Sequence, residues 1–432
     1  MDRSSLAVSH IRGSNWLKYA LKGLIFSSQK MMQSSKSMIS RRVANASLQK
    51  GRSVIRPKMK EMKERGIDVI DMSGYVVEKP YGEFASPPEY VKDAVKRAVD
   101  FGWPEPSPRG IASFRQLIAE VEGRVTSNEF DPNQEVLVTG GGSMQALYNT
   151  IQAIIDPGDE AIMFTPGLPY DEIVKLAEGT PVMVDLRMEE GYRFDAARVQ
   201  AAVTERTKLL IVNTPHNPSG HVLTRGELEG LADVAKRNDL LVISDDVLWN
   251  WVYDGSKYTS IASFPGMKER TIIVNSLTKT GLFDWRVGWA VGPALIIDRL
   301  EKIMFWQNQF SAPLLQVASE AHLARLSEWV SPIIVQQQKK KDFLHAELVR
   351  MGFPCFRPEG AIMTFPSTSN FTGDAVALSS YILEKGHVFV SPGVAYLRDG
   401  HLRVGYGNSM ERMKEGLDRV ARAVESYPSV GK

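Results

Sequence analysis

The feature that most constrains the fold of this chain is a series of short apolar runs that alternate with segments of helical spacing. A strand that is buried on both faces is apolar along its whole length, whereas apolar and polar residues alternate in a strand with one solvent-exposed face. Helical segments at 90–100, 111–125 and 144–155 separate such runs, so the sequence predicts an α/β fold: a mostly parallel sheet with helices on both faces. The runs are Glu135–Val138, Glu160–Phe164, Lys208–Asn213, Leu240–Ser244 and Thr271–Asn275.

The pattern changes after about residue 311, which predicts a second, smaller α/β domain. One long helical stretch runs to about residue 351, and strand–helix–strand material follows it. The predicted parts are a basic N-terminal extension (1–38), a segment that joins the small domain (39–80), a large domain (81–310) and a C-terminal small domain (311–432).

The charge of the chain is unevenly distributed. Residues 1–60 carry 13 Lys and Arg against one acid, Asp2, whereas the remaining residues carry 39 basic and 49 acidic side chains. A basic, Ser-rich segment with an amphipathic helix predicted at Trp16–Phe26 is typical of an organelle transit peptide or of membrane-surface attachment. An accessory arm and a start codon placed too early are the other interpretations. We expect a cytoplasmic protein, and organelle targeting stays open.

Several classes of protein are disfavoured by composition. No run of about 18 apolar residues is present, so we predict no span of a bilayer. The single cysteine, Cys355, excludes an intrachain disulfide, and the seven histidines lack the i, i+4 pairing of zinc sites, so we predict no metal. The acidic balance after residue 60 argues against a nucleic-acid partner.

Polar and small residues follow the apolar runs, where an open parallel sheet binds its ligands. Gly140–Met144 opens a helix after the first run, and small residues there let a phosphate approach the helix N-terminus. Asp245 and Asp246 follow the fourth run, and Ser276 to Lys279 follow the last. Taken singly, these residues equally fit a tight turn, a helix N-cap and a solvated surface lysine.

Taken together, the ordered motifs HNPSG (216–220), SDD (244–246), SLTK (276–279) and WRVGW (285–289) resemble the class I/II aminotransferase-like family of fold-type-I pyridoxal 5'-phosphate (PLP) enzymes. The resemblance extends, more weakly, from about Ser40 to Arg403, and the first 38 residues lie outside it. A dinucleotide-binding enzyme is disfavoured, because no G-x-G-x-x-G follows a first strand.

The resemblance implies that the large domain binds PLP. Lys279 would hold the cofactor as a Schiff base and then move the substrate Cα proton. Asp245 would pair with the pyridine nitrogen, and Asn217 would donate to the ring oxygen. Arg403 would bind the substrate α-carboxylate, with Gly74 and Tyr75 beside the substrate. The predicted phosphate ligands are Ser276, Arg286, Ser143 and the adjacent backbone of Gly142 and Met144.

Several positions depart from the family pattern. Leu168 stands where an aromatic ring usually stacks on the cofactor, unless Tyr170 takes that place, and Leu248 stands where a tyrosine usually bonds the ring oxygen. Glu105 replaces a tyrosine that commonly reaches the partner subunit's phosphate. The step from Lys279 to Arg286 is one residue short, and the connection at 75–85 is long.

The resemblance implies an aminotransferase-type enzyme that acts on an α-amino acid, as a homodimer with active sites at its interface. The departures leave two alternatives open. One is a PLP enzyme of β- or γ-elimination, replacement or C–C bond formation on the same fold, and the other is an inactive PLP-binding or interaction protein.

Overall fold

The computed structural model describes residues 40–44, 46, 52–73, 87–282 and 285–428, and the chain divides into two compact units, 1–46 and 47–432. In the first unit the described helix is α1 (Arg41–Ala44). The amphipathic helix predicted at 16–26 lies outside the described residues. Of the helices that are described, none has the length and apolarity needed to cross a membrane.

The second unit contains all the strands and the remaining helices of the described chain. The strands are β1 (Ile70–Asp71), β2 (Val136–Thr139), β3 (Glu160–Thr165), β4 (Thr180–Asp185), β5 (Thr207–Asn213), β6 (Leu241–Asp245), β7 (Thr271–Ser276), β8 (Gly288–Val291), β9 (Met363–Thr364), β10 (Val388–Phe389), β11 (Ser391–Pro392) and β12 (Leu402–Gly405). The helices are α2 (Arg52–Glu64), α3 (Glu89–Phe101), α4 (Ala112–Thr126), α5 (Ser143–Ile154), α6 (Tyr170–Leu176), α7 (Ala196–Ala202), α8 (Arg225–Arg237), α9 (Ala294–Asn308), α10 (Pro313–Ala324), α11 (Leu326–Arg350), α12 (Ala375–Gly386) and α13 (Met410–Glu425).

A seven-stranded sheet forms the centre of this unit, in the order β2-β8-β7-β6-β5-β3-β4. All neighbours are parallel except β8, which is antiparallel to both β2 and β7. The other six strands therefore end at one edge of the sheet, and β8 begins there. The predicted α/β fold with a mostly parallel sheet is confirmed, and each of the five apolar runs is a strand.

Strands β4 and β8 are not among the predicted runs, for a physical reason in each case. β4 is the edge strand and keeps Thr180 and Met183 exposed, so it shows no continuous apolar run. β8 is four residues long and begins within the WRVGW motif, at Gly288, so its apolar run is short.

Helices cover both faces of the sheet, because successive side chains of each strand point to opposite sides. In β6, Ile243 packs with the helices α5, α6 and α9, whereas its neighbour Val242 packs with α7 and α8. Trp289 of β8 packs against Phe114 of α4. The core is therefore two layers of side chains with the sheet between them.

The smaller sheets combine both ends of the unit. β1 pairs in parallel with β10, and β11, β12 and β9 form an antiparallel sheet. The backbone N–H of Gly405 donates to Met72 O, which places the residues after β1 beside β12. Ile55 and Met62 of α2 pack against Leu383 of α12.

The helical stretch predicted after residue 311 is present, but it is interrupted once. The helical stretch at 311–351 is two helices, α10 and α11, which meet at Arg325, and α10 packs against α3 and α4. The break escapes a periodicity argument because neither Gly nor Pro marks it. The domain boundaries stay a prediction.

Candidate active site

The edge where six strands end gathers most of the predicted site residues. Asn213 and Asp245 are paired at the ends of β5 and β6, and Ser276 ends β7. Because β8 runs the other way, Arg286 reaches the same edge by preceding its strand. The topology therefore brings together residues that are far apart in the sequence.

The turn at the start of α5, residues 141–143, lies against Arg286, and we call these residues together the phosphate cup. Its backbone N–H groups and the guanidinium of Arg286 suit an anion. The N–H of Gly142 donates to Arg286 O (2.7 Å), and Nη2 of Arg286 donates to Gly141 O (2.5 Å). Ser143 is the first residue of the helix, and Arg286 remains solvent-exposed. The helix N-terminus carries partial positive charge, so this charge and the guanidinium together fit a phosphate.

Asp245 is a buried carboxylate with one strong side-chain partner. Its Oδ2 accepts a hydrogen bond from the hydroxyl of Tyr170 (2.6 Å), and Asn213 Nδ2 holds its backbone oxygen (2.8 Å). Burial raises the pKa of Asp245 to about 6, although Tyr170 and the charge of Lys279 oppose the rise. A cation placed against this carboxylate would offset the cost of burial.

Lys279 ends a single 3-10 turn, Leu277–Lys279, that directly follows β7. Ser276 caps this turn by accepting a hydrogen bond from the N–H of Thr278 (3.4 Å). The positive charge of Lys279 lowers the pKa of Asp245, so the two groups share one electrostatic site. A lysine held at this edge differs from a solvated surface lysine.

Arg403 lies in β12 and is fully buried. Its Nη1 donates to Asn217 Oδ1 (3.1 Å), its Nη2 donates to Ser73 O (2.5 Å), and its guanidinium lies 4.4 Å from the centre of the Tyr396 ring. The N–H of Asn217 donates to Asn213 Oδ1, so this asparagine links Arg403 to the strand edge. A buried guanidinium of fixed orientation is suited to a carboxylate.

Comparisons with known proteins agree on one family. Residues 81–420 match the family described as Aminotransferase class I and II. An aspartate aminotransferase of Pyrococcus abyssi is 33% identical over 344 residues, which cover 78% of this chain and 88% of that protein. A probable aspartate/prephenate aminotransferase of Thermus aquaticus is 34% identical over 372 residues, covering 84% of this chain and 94% of that one. The chain belongs to the class I/II aminotransferase family.

The solved structure of the Thermus thermophilus aspartate aminotransferase with maleate agrees with this assignment. It superposes with a TM-score of 0.82 at 32% identity, over 89% of this chain and 99% of that chain. Class I/II aminotransferases depend on PLP, so this aminotransferase is a PLP-dependent enzyme, a transferase of amino acid metabolism. The predicted family, enzyme class and cofactor are confirmed.

The residues of this aminotransferase fit PLP. The cup at α5 matches a phosphate dianion, and the buried Asp245 matches a protonated pyridine nitrogen. Ser73 Oγ is buried without a hydrogen-bond partner among the described residues, although its backbone oxygen contacts Arg403. An orphaned hydroxyl beside a guanidinium is the expected surrounding of a carboxylate that the site is built to receive.

Two predicted cofactor contacts are apolar in the aminotransferase. Leu168 is half-buried after β3 and packs toward the clusters on both faces of the sheet. Leu248 is 1% exposed and belongs to the core cluster that also contains Trp251. Tyr170, the alternative to Leu168 as the residue that stacks on the cofactor, donates its hydroxyl to Asp245, and its stacking on PLP stays a prediction. Direct contact of either leucine with PLP stays a prediction.

The remaining predicted positions are distributed as follows. Met144 is half-exposed beside the cup, and Glu105 is exposed. Gly74, Tyr75 and the rest of the long connection lie outside the described residues. Residues 283 and 284 lie outside them as well, within the shortened step from Lys279 to Arg286.

Sequence reasoning missed two side chains beside the predicted site residues, Ser73 and Tyr396, and it missed the hydrogen bond from Tyr170 to Asp245. Ser73 and Tyr170 contact residues that are distant in the chain, Arg403 and Asp245. Tyr396 contacts Arg403, which is near it in sequence, but no motif marks that tyrosine.

His216, the first residue of the HNPSG motif, is buried, and its Nδ1 lies 2.8 Å from Ser219 Oγ. Burial lowers the pKa of His216 to about 3, which keeps its ring neutral.

Within the described residues, no group of three or more His, Cys, Asp or Glu side chains is placed to hold a metal ion.

Proposed function

We propose that this aminotransferase transfers the amino group of an α-amino acid, with Lys279 as the residue that holds PLP as a Schiff base. The observation that carries the proposal is the convergence of Lys279, Asp245 and the phosphate cup on one sheet edge, with Arg403 joined to that edge through Asn217. When bound, PLP supplies an electron-withdrawing pyridine ring that stabilises negative charge at the substrate Cα.

The cup anchors one end of the cofactor. The first-turn amides of α5, the hydroxyl of Ser143 and the guanidinium of Arg286 would share the phosphate charge. Ser276 already accepts from Thr278, so its hydroxyl proton is the group it offers to that phosphate.

Asp245 would pair with the pyridine nitrogen of PLP and keep it protonated. Its ionised form is stabilised by the Tyr170 hydroxyl, and burial removes the water that would otherwise compete. Asn217 has its amide oxygen on Arg403, so its donor end is directed away from the guanidinium and suits the ring oxygen.

Arg403 binds the substrate α-carboxylate and thereby orients Cα toward Lys279. The guanidinium is held by Asn217, Ser73 and the Tyr396 ring, so little ordering remains to be done when substrate arrives. Once the amino group of the substrate has taken the place of Lys279 on PLP, the freed ε-amine of Lys279 would accept the proton from the substrate Cα.

The names of similar aminotransferases support a proposal for the substrate class of this enzyme. They are aminotransferases of aspartate, of aspartate and prephenate, and of aromatic amino acids. We therefore propose a dicarboxylic or aromatic amino acid as donor, and amino transfer rather than elimination, replacement or C–C bond formation.

We also propose a homodimer with active sites at its interface. The C-terminal end of α9 exposes Phe305 and Trp306, and Phe310 is exposed just after the helix. The same end lies beside the phosphate cup, since Gln145 donates to Gln307 Oε1 (2.7 Å). Large exposed apolar side chains beside a cofactor cup support burial by a second copy.

The test compares wild type with Lys279→Ala and with Lys236→Ala, a control lysine on α8. In wild type and in the control we expect a visible cofactor band, and borohydride reduction should link the cofactor covalently to Lys279. In Lys279→Ala no cofactor should be linked at this position. Aspartate or an aromatic amino acid should then yield its 2-oxo acid and the pyridoxamine form of the cofactor. Ammonia release without that form would favour elimination, and cofactor fixed to another lysine would overturn the assignment.

A further inference from the structure

The backbone that follows Lys279 is held by a buried histidine of a distant helix. His322 lies in α10 and is fully buried. Its Nε2 is 2.7 Å from the backbone oxygen of Thr280, the residue next to Lys279. Its Nδ1 is 3.0 Å from the hydroxyl of Tyr90, in the first turn of α3.

The chemistry of these partners sets the tautomer of the ring. A carbonyl oxygen only accepts, so Nε2 of His322 carries a proton and donates to Thr280 O. Burial lowers the pKa of His322 to about 4, although the bond to Thr280 opposes this, so the ring is neutral near pH 7. Nδ1 therefore has no proton and accepts a hydrogen bond from the Tyr90 hydroxyl. Tyr90 thus donates to His322, and His322 donates to Thr280 O.

Packing fixes the orientation of this histidine. The ring of Tyr90 stacks on it with centroids 6.2 Å apart and an interplanar angle of 15°. The guanidinium of Arg325 lies 4.5 Å from the centre of the Tyr90 ring. Trp329 packs edge-on against His322. The histidine has little freedom to rotate away from Thr280.

The backbone that follows Lys279, at Thr280 and Gly281, packs closely against His322 and Trp329. Gly281 has φ +116°, a backbone conformation that side-chain-bearing residues rarely adopt, and a Cβ there would lie 3.0 Å from Trp329 Nε1. Thr280 also closes the turn before it, because its N–H and its hydroxyl both bond Leu277 O. The segment is thus fixed by its own turn on one side and by α10 on the other.

We propose that His322 is a positioning residue for Lys279, which it aligns with Asp245 and the phosphate cup by holding the backbone oxygen of Thr280. The inference rests on the proposed role of Lys279 and adds to it the contact that sets where the lysine stands. The hydroxyl of Tyr90 serves the same end by holding His322 in the tautomer that donates to Thr280.

The experiment compares wild type with three variants and one control. His322→Leu keeps the approximate volume and loses the donor, whereas His322→Gln retains a donor and an acceptor. Tyr90→Phe keeps the ring and loses only the hydroxyl. The control is His345→Leu, a half-buried histidine of α11 outside the site.

Three readouts separate positioning from packing. The first is the rate at which the cofactor-free protein captures added PLP, with borohydride trapping at Lys279. The second is the pH midpoint of the visible cofactor band, and the third is kcat and KM for amino transfer. Thermal unfolding of each cofactor-free protein measures the packing contribution separately.

For His322→Leu we expect PLP capture to slow about tenfold and kcat to fall about tenfold, because small displacements of a reacting group are costly, with KM within about twofold. The pH midpoint should shift. His322→Gln should recover most of both rates, Tyr90→Phe should slow capture about threefold, and His345→Leu should match wild type.

A His322→Leu protein that unfolds at lower temperature but keeps the capture rate, kcat and pH midpoint of wild type would overturn the proposal. If His322→Leu does not fold, an unchanged rate of PLP capture in Tyr90→Phe would overturn the proposal instead. Trapping in wild type reports independently on Lys279. Cofactor fixed elsewhere in wild type refutes the proposed function and this inference together, whereas a failure confined to the variants refutes this inference alone.

Discussion

Glu122 shows how a single buried residue can link the stability of this protein to pH. Its Oε1 accepts from Asn275 Nδ2 (3.0 Å) and from Trp289 Nε1 (2.8 Å), on the α4 side of β7 and β8. Burial and then the nearby Asp246 raise the pKa of Glu122 to about 7 from its ordinary 4.5. The folded protein therefore keeps a proton that the unfolded chain has already released.

The sign of this linkage gives a prediction. Between pH 4.5 and 7 the folded state binds more protons, so the contribution of Glu122 to the free energy of unfolding falls as pH rises. The loss is about 3 kcal/mol over this window. Glu122→Gln keeps the accepting oxygen and cannot ionise. Its free energy of unfolding, measured by urea unfolding, should therefore rise relative to that of wild type between pH 5 and pH 8 by an amount of this order.

The comparison at two pH values removes the groups that titrate identically in both proteins. Parallel stability curves for wild type and Glu122→Gln would show that the carboxyl of Glu122 titrates normally and would contradict the prediction.

At the scale of elements, the phosphate cup depends on how closely β8 approaches the start of α5. Gly288 is the first residue of β8, and a Cβ there would lie 2.5 Å from Gly142 C and from Ser143 N. These are backbone atoms of the turn itself, so a side chain could fit only if the cup moved. This is the physical reason for the glycine in the WRVGW motif.

We therefore predict that Gly288→Ala weakens PLP binding by about tenfold or more, because the displaced amides no longer match the phosphate. Gly226→Ala is the matched control, since nothing lies within 4 Å of a Cβ at this position in α8. Titration of the cofactor-free proteins with PLP measures both. Equal affinities of wild type and Gly288→Ala would show that the cup tolerates the displacement.

At the scale of the whole molecule, the site combines residues from the two ends of the second unit with the sheet between them. Arg403 and Ser73 are 330 residues apart in sequence and share a hydrogen bond. Pairing of β1 with β10 brings these segments together. The proposed homodimer would extend this principle, with a second copy of the chain covering the aromatic end of α9.

Trp306 is 86% exposed, so its replacement by a charged residue tests the proposed dimer with little effect on the fold of one subunit. We expect wild type to sediment as a dimer at micromolar concentration, and Trp306→Asp to dissociate and bind PLP more weakly. Val349→Asp, at an exposed valine of α11, should remain a dimer. A monomeric wild type with full activity would contradict the proposal.

Sequence alone determined the α/β class, five of the seven strands of the central sheet, and the family; it missed β8, although all four residues of that strand are buried. Apolar runs and ordered motifs are local properties, and burial on both faces leaves them visible in the chain. It also predicted Lys279, Asp245, Asn217, Arg286 and Arg403, because each stands in a motif.

Tertiary structure decided the rest. The reversal of β8 and the break between α10 and α11 were not predicted from the sequence. The bond from Tyr170 to Asp245 and the contact of His322 with Thr280 join residues far apart in sequence. Such contacts depend on which elements pack together, and a hydrogen-bond partner supplied by a distant helix leaves no periodicity or motif in the chain. The residues that we propose to carry the chemistry could therefore be predicted from sequence, whereas the contacts that hold them in place required the fold.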